Sequence, residues 1–275
     1  MMKMRRLPLM LANVVLATVL CTTIAEGQQD QRELARQLLQ GSRAERSQAL
    51  EAARGLGRTQ MGPELRAALI TVLDKNNRLV LEAAKRKQAL ETVEDPEFIA
   101  HVAHAVSQLD DPKSIPALAG ALGSGSTFVP DALADFGEQA APAVLGVVTS
   151  PRSDYNAVDD GLIALRFMVE ETGPRPLSAR TLDQIRAAAN QRLTSKQYFT
   201  TLWRAIDLAV TLNDPGLRQI VQSLASDTTE VIARGVTNMV IVTRTQQRAA
   251  QRLTGGRAMP LHRSLTERDL LLTPH

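Results

Sequence analysis

Residues 105–150 read AVSQLDDPKSIPALAGALGSGSTFVPDALADFGEQAAPAVLGVVTS. Within this stretch Asp111-Pro112 marks a helix start: Asp accepts from an orphan backbone N–H, and Pro supplies the preset φ of the first helical position. Ile115, Leu118, Ala119 and Leu122 then recur at i, i+3, i+4 and i+7, one face of a helix. The run Gly123-Ser124-Gly125-Ser126 ends it. A second helix is expected over 128–136, stopping at Gly137, and a third with Ala141, Val144, Leu145 and Val148 on one face. Isolated helices shorter than about 12–15 residues are marginal in water, so each segment needs a neighbour to cover its apolar face.

The same pattern extends outward in both directions. A helix is expected to end at Leu56-Gly57, and Pro63 opens another with Leu65, Ala68, Leu69, Val72 and Leu73 inside. Asp-Pro recurs at Asp95-Pro96, Asp111-Pro112 and Asp214-Pro215. The segments LDDPKSIPALAGAL and LNDPGLRQIVQSLA superpose with Leu109 on Leu212, Asp111 on Asp214 and Pro112 on Pro215. Self-similarity built on helix pairs is the mark of an α-solenoid.

The elements ARGLG…PELRAALITVL, DDPKSIPALAGAL and ALADFGEQAAPAVLGVV resemble HEAT repeats, in particular the short HEAT-like units of the phycobilisome lyases. The resemblance covers 43–75 and 97–149 well and 196–243 loosely. It implies an all-α protein, an α-solenoid of antiparallel helix pairs stacked into a HEAT-like superhelix, with the second helix of each pair lining the concave side. Those helices would be 63–74, 113–122, 139–149, 178–193 and 215–225. Lys113, Gln139, Arg186, Arg218 and Gln222 flank their apolar stripes and are the candidate contact residues. The lyase activity is not carried over, because no catalytic residue of this chain can be matched to it.

Composition agrees with short packed helices. Only 3% of residues are aromatic against 44% hydrophobic, so the core must consist mainly of Ala, Leu, Val and Ile. The N-terminus reads as an export signal: Lys3, Arg5 and Arg6, an apolar run over 7–24, and Thr23-Ile24-Ala25 as cleavage site. An uncleaved anchor and a lipoprotein modified on Cys21 are the alternatives. Removing residues 1–25 turns the 32 basic and 29 acidic residues, net +3, into 29 of each. A neutral mature chain gives no argument for nucleic acid. The only cysteine leaves with the signal, so neither a disulfide nor a thiol nucleophile is expected in the exported protein.

Along the rest of the chain, Leu34, Leu38 and Leu39 give a short helical stripe ending at Gly41, read as the N-terminal cap of the solenoid. Residues 78–94 form a longer charged helix. Ser150-Pro151-Arg152-Ser153 marks a break, with a subdomain boundary near 150–154 as the alternative to one continuous rod over 26–254. Helices over 158–169, 182–193, 197–212 and 216–225 follow; Gly173-Pro174 stops the first. A last helix from about 229 carries Ile232, Val236, Met239 and Val240 inward. Gly255-Gly256 ends the ordered chain, and 255–275 is expected to be a flexible tail.

Three clusters carry candidate chemistry. Glu97, His101 and His104 lie at i, i+4 and i+7, a donor set that zinc accepts, but the same residues suit an ordinary surface helix and no metal or other cofactor is assigned. Arg244, Arg248 and Arg252 recur every four residues; they face either an anionic partner or solvent near a helix C-terminus. Tyr198, Phe199 and Trp203 form either a binding platform or, sharing a face with Ile206 and Val210, core. Asp159-Asp160 and Glu170-Glu171 are adjacent on helices and point about 100° apart, too far to share a substrate. The glycines of 120–125 have neither the preceding strand nor the lysine of a phosphate loop, and Ser124 and Ser126 lack nucleophile-elbow spacing.

The sequence therefore leads to a non-enzymatic, exported, monomeric interaction scaffold binding a protein or peptide on its concave face. The alternative is an envelope-associated module held by an uncleaved N-terminus or the arginine stripe, and a metal-dependent enzyme built on Glu97, His101 and His104 comes behind both.

Overall fold

Two turns of the chain share one unusual backbone. Among the described residues, Asp110 and Asn213 are the non-glycine residues with left-handed φ, 50° and 51°. Each is followed by a capping aspartate and a proline at the first helical position: Asp111 accepts from Lys113 N–H, and Asp214 from Leu217 N–H. The equivalence of 109–112 and 212–215 read in the sequence is thus repeated in backbone geometry, where Asp and Asn tolerate the left-handed region that other side chains avoid.

The computed structural model describes residues 29–86, 95–124, 126–170 and 177–256. The expected export signal with Cys21, the expected end of the charged helix at 87–94, Gly125, the expected stop at Gly173-Pro174 and the residues beyond 256 lie outside the described residues. All elements among the described residues are helical, with no strand. They are α1 (29–40), α2 (Arg43–Gln60), α3 (Pro63–Arg86), α4 (Pro96–Ser107), α5 (Ile115–Gly120), α6 (Phe128–Phe136), α7 (Ala141–Thr149), α8 (Tyr155–Glu170), α9 (Ala179–Thr194), α10 (Phe199–Leu212), α11 (Pro215–Ser226), α12 (Thr228–Ala233) and α13 (Met239–Leu253). The chain divides into two compact units between Val72 and Leu73.

In the first unit, Leu38, Leu50, Ala53, Leu65 and Leu69 are buried. Ser42 closes α2 with a full capping box, its hydroxyl accepting from Glu45 N–H and the Glu45 carboxylate accepting from Ser42 N–H. Gln31 ties α1 to the α2–α3 turn: Oε1 accepts from Gly62 N–H at 2.5 Å and Nε2 donates to Gln60 O at 2.9 Å. Gly57, the expected end of α2, adopts φ 65° and ψ 171°, and helix resumes to Gln60. The stop is therefore a kink.

In the second unit the helices alternate between two rows. One row runs α4, α6, α8, α10, each packed on the next; the other runs α5, α7, α9, α11. The rows pack on each other through α5 on α6, α7 on α8, and α10 on both α9 and α11. α13 lies against α10, α11 and α12. The faces read between 115 and 148 are buried as expected, including Leu118, Val144 and Val148 at 0% exposure. Ser150–Asp154 is a short connection, and α7 and α8 on either side of it pack together. At that contact Gly161 is required: a Cβ there would stand 2.6 Å from Val148 Cγ2. Gly123 combines φ 92° with Ala157 N at 2.9 Å from where its Cβ would be.

Two boundaries differ from the expectation. α3 does not stop at residue 74 but continues to Arg86. Asn76 is buried within the helix, and Asn77 donates to Ala117 O at 2.8 Å, so α3 carries a polar contact to α5 where the expected helix had ended. The last helix is in fact two. Gly235, at φ 90°, ends α12, and Asn238 caps α13 by accepting from Val240 and Ile241 N–H. Val236 is buried, but Ile232, Met239 and Val240 are exposed, because the break rotates them out of the expected stripe.

Candidate interaction groove

The elements of the second row leave an open groove, of about 640 Å³, between α7 and α9. These helices run parallel, because they are clamped at corresponding ends. At the N-terminal end the Glu138 carboxylate, in the 3₁₀ turn before α7, accepts from Ser178 N–H (2.9 Å), Ser178 Oγ (2.9 Å) and Thr181 Oγ1 (2.6 Å). These donors, Thr181 foremost, hold the Glu138 carboxyl below the usual carboxylate range. At the C-terminal end Arg192 Nε donates to Val148 O at 2.8 Å, a cation placed on the exposed carbonyls that end α7. Burial pushes the Arg192 guanidinium down, against a smaller opposing effect of Asp159.

Between the clamps the helices stand apart. α7 supplies Pro142, Leu145 and Thr149, and α9 supplies Arg180, Gln184, Ala187, Ala188 and Gln191. The floor is Leu145 and Ala188, both buried; Arg180, Gln184, Ala187 and Gln191 are exposed. Among the described residues, the side chains of Arg180, Gln184 and Gln191 take part in no hydrogen bond or ion pair. The groove is thus a small apolar floor edged by unused donors and acceptors.

The sequence-expected contact residues surround this groove without lining it. Lys113 and Gln139 are exposed in the 3₁₀ turns that precede α5 and α7, and Gln222 is exposed on α11. Arg186 on α9 is paired with Asp183 at 2.6 Å and faces Asp214 at 3.9 Å. Arg218 donates to Asn213 Oδ1 at 3.4 Å, which brings Arg186 and Arg218 to the start of α11. The lining residues Gln184, Ala187 and Gln191 escape a reading of the sequence because they belong to no apolar stripe. The signal that could have found them is their spacing, which places them with Arg180 on one exposed face of α9, beside its buried stripe of Ile185, Ala188 and Ala189.

The arginine stripe has a different fate from either expected one. Arg248 Nη2 lies 2.5 Å from Asp207 Oδ2, and Arg252 Nε lies 3.1 Å from Asp207 Oδ1, where the aspartate is 2% exposed. Arg248 also stands over the Trp203 ring at 5.7 Å, and Trp203 Nε1 donates to Thr245 Oγ1 at 2.8 Å. Arg248 and Arg252 of the stripe therefore face inward and fasten α13 to α10. A half-buried carboxylate, Asp159 on α8, accepts from Thr201 Oγ1 at 2.5 Å. Burial pushes its pKa up to about 6, against the opposing influence of Thr200, Thr201 and Arg204. Its neighbour Asp160 accepts from Gly123 N–H at 2.9 Å, so the adjacent pair does point to different partners.

His104 stacks on Phe128 with ring centroids 3.9 Å apart and contacts Gln108 through Nε2. Among the described residues no three His, Cys, Asp or Glu side chains are placed to hold a metal ion. The aromatic residues at 198–203 form a chain of ring contacts from exposed Tyr155 through Tyr198 and Phe199 to buried Trp203. No helix among the described residues is long and apolar enough to cross a membrane. No protein-family model matches the chain, and no curated protein is significantly similar to it.

Proposed function

We propose that this protein is an exported interaction scaffold: a HEAT-like α-solenoid whose second row of helices, α5, α7, α9 and α11, binds a segment of another protein. The observation that carries the reading is the alternation of successive helices between two rows, each helix packed on its row neighbours. That arrangement offers a long surface and draws its stability from nearest neighbours, as repeat proteins do. The shared Asp-Pro turns at 111–112 and 214–215 support it as traces of a repeated unit. The open groove between α7 and α9 lies on the proposed ligand face, and Lys113, Gln139 and Gln222 stand exposed along the same row.

Envelope attachment through the arginine stripe loses its support, since Arg248 and Arg252 are spent on Asp207. Export rests on residues 1–25 alone, and mass spectrometry of the N-terminus tests how they are processed: Glu26 as first residue supports cleavage, and an intact Met1 supports an uncleaved anchor. Photo-crosslinking tests the ligand face. A crosslinker at Gln139 or Gln222 should capture a defined partner that one at Asp131, exposed on α6 in the other row, does not. Equal capture from both rows would refute the assignment of the face. Exchanging Lys113, Gln139 and Gln222 together for glutamate should weaken that partner's binding and leave thermal stability unchanged.

A further inference from the structure

We propose that the groove between α7 and α9 takes an extended segment of about five residues from a partner protein, with a carboxylate against Arg180 and backbone amides against Gln184 and Gln191. The inference rests on the scaffold reading and specifies what one part of its surface recognises.

Length comes first. Arg180 and Gln191 are eleven residues apart on α9, about 16 Å along a helix axis. An extended chain rising about 3.3 Å per residue crosses that span in about five residues. Gln184 and Gln191, seven residues apart, are separated by about 10 Å, close to three residues of extended chain, so each amide reaches a different peptide unit of the ligand.

Chemistry comes next. A glutamine amide offers a donor and an acceptor together, the complement of a peptide unit, and neither groove glutamine uses its amide within the described chain. The floor of Leu145 and Ala188 gives a small apolar side chain a place to rest. Charge sets direction. Glu138 at the closed end is already compensated by three donors, whereas Arg180 is without an ion pair among the described residues. Arg180 also stands in the first turn of α9, where the helix dipole adds positive potential. The uncompensated charge among the residues lining the groove is therefore positive and single. One carboxylate matches it; a polyanion does not, because it would bring further negative charge against Glu138.

The test uses the mature chain and capped pentapeptides of alanine and serine in which one terminal position is Asp, Asn or Lys, with a fourth peptide carrying a free C-terminal carboxylate. Binding is followed by amide chemical shifts. The Asp peptide should bind about three- to fivefold more tightly than the Asn peptide, and the Lys peptide more weakly than both, with shifts confined to α7 and α9. The free-carboxylate arm distinguishes a side-chain acid from a chain end: preference for it over the capped Asp peptide assigns the carboxylate to a C-terminus. Arg180→Gln should abolish the Asp-over-Asn preference and keep residual binding. Gln184→Ala with Gln191→Ala should weaken all peptides about fivefold or more, whatever their charge. Equal affinity for Asp and Asn peptides, or an Arg180→Gln variant that retains the preference, overturns the proposal. If shifts then fall on α5 or α11, the scaffold reading stands and only this groove is misassigned; shifts confined to the α4–α6–α8–α10 row sink both.

Discussion

α4–α7 and α8–α13 are held together by different chemistry, although they continue the same two rows. In α4–α7 the buried side chains are almost all aliphatic: Val102, Val106, Leu118, Leu133, Val144 and Val148 are each at 0% exposure. In α8–α13 the core also contains Asp160, Arg166, Arg204 and Asp207, all buried, with Arg248 and Arg252 drawn in from α13. The aliphatic half is stabilised by area removed from water, which tolerates small shifts. The charged half is held by directed contacts whose partners must all be present, since an unpaired buried charge is far more costly than a lost methyl group. The comparison shows that one all-helical architecture can be fastened by burial in one region and by ion pairs in another.

The largest disruption is expected in the aliphatic half. Leu118→Asp places a carboxylate at a fully buried position shared by neighbouring helices, and should remove more than about 5 kcal/mol and unfold more than one helix pair. Chemical denaturation read by circular dichroism measures it; a local loss of a single helix would break the claim of a shared core. In the charged half, Asp207→Ala leaves Arg248 and Arg252 without their carboxylate and should cost about 3–5 kcal/mol. Trp203, the only tryptophan, lies at this joint and should report α13 detaching through a red-shifted emission. An unchanged spectrum and stability would mean that apolar contacts alone hold α13.

The third effect has the opposite sign. Asp159 titrates near 6 in the fold, against 3.8 for an ordinary aspartate. Its protonated form is therefore favoured by folding: the contribution is fully present below the unfolded pKa and is lost as pH rises through about 6. Asp159→Asn keeps an acceptor for Thr201 and removes the charge. It should stabilise the protein by about 2–3 kcal/mol at about pH 7.5, with the gain shrinking toward zero near pH 4. Melting temperatures of both proteins across that range decide it, and a pH-independent difference would refute the assignment. The smallest effect returns to the aliphatic half. Gly146 is exposed in α7 with nothing within 4 Å of where a Cβ would stand, so Gly146→Ala should add about 0.5–1 kcal/mol. Destabilisation would show that α7 is packed more closely on that side.

The sequence was most legible where stability comes from burial. In α5, α6 and α7 the period of apolar residues and the Asp, Pro and Gly punctuation mark faces and boundaries, and Gly137 ends α6 where expected. It was least legible where polar residues are structural. Residues 63–74 and 78–94 read as separate helices, but α3 runs unbroken through Asn77, which donates to Ala117 O; Arg248 and Arg252 read as a surface stripe and are core partners of Asp207. An arginine carries the same letter whether it faces water or a buried carboxylate, and the local pattern around it does not distinguish the two. The same holds for the groove: Gln184 and Gln191 look like ordinary exposed positions until α7 is seen beside them.

What the sequence determined by itself is the all-helical class, the short elements, the inward faces of most of them and the paired Asp-Pro turns, because helix periodicity and capping are local. Only the tertiary structure decided which helices share a row, that Glu138 and Arg192 clamp α7 to α9, and that Asp207 gathers the arginines of α13. Those outcomes join residues about 40 positions apart, and distance along the chain gives no local signal of who meets whom.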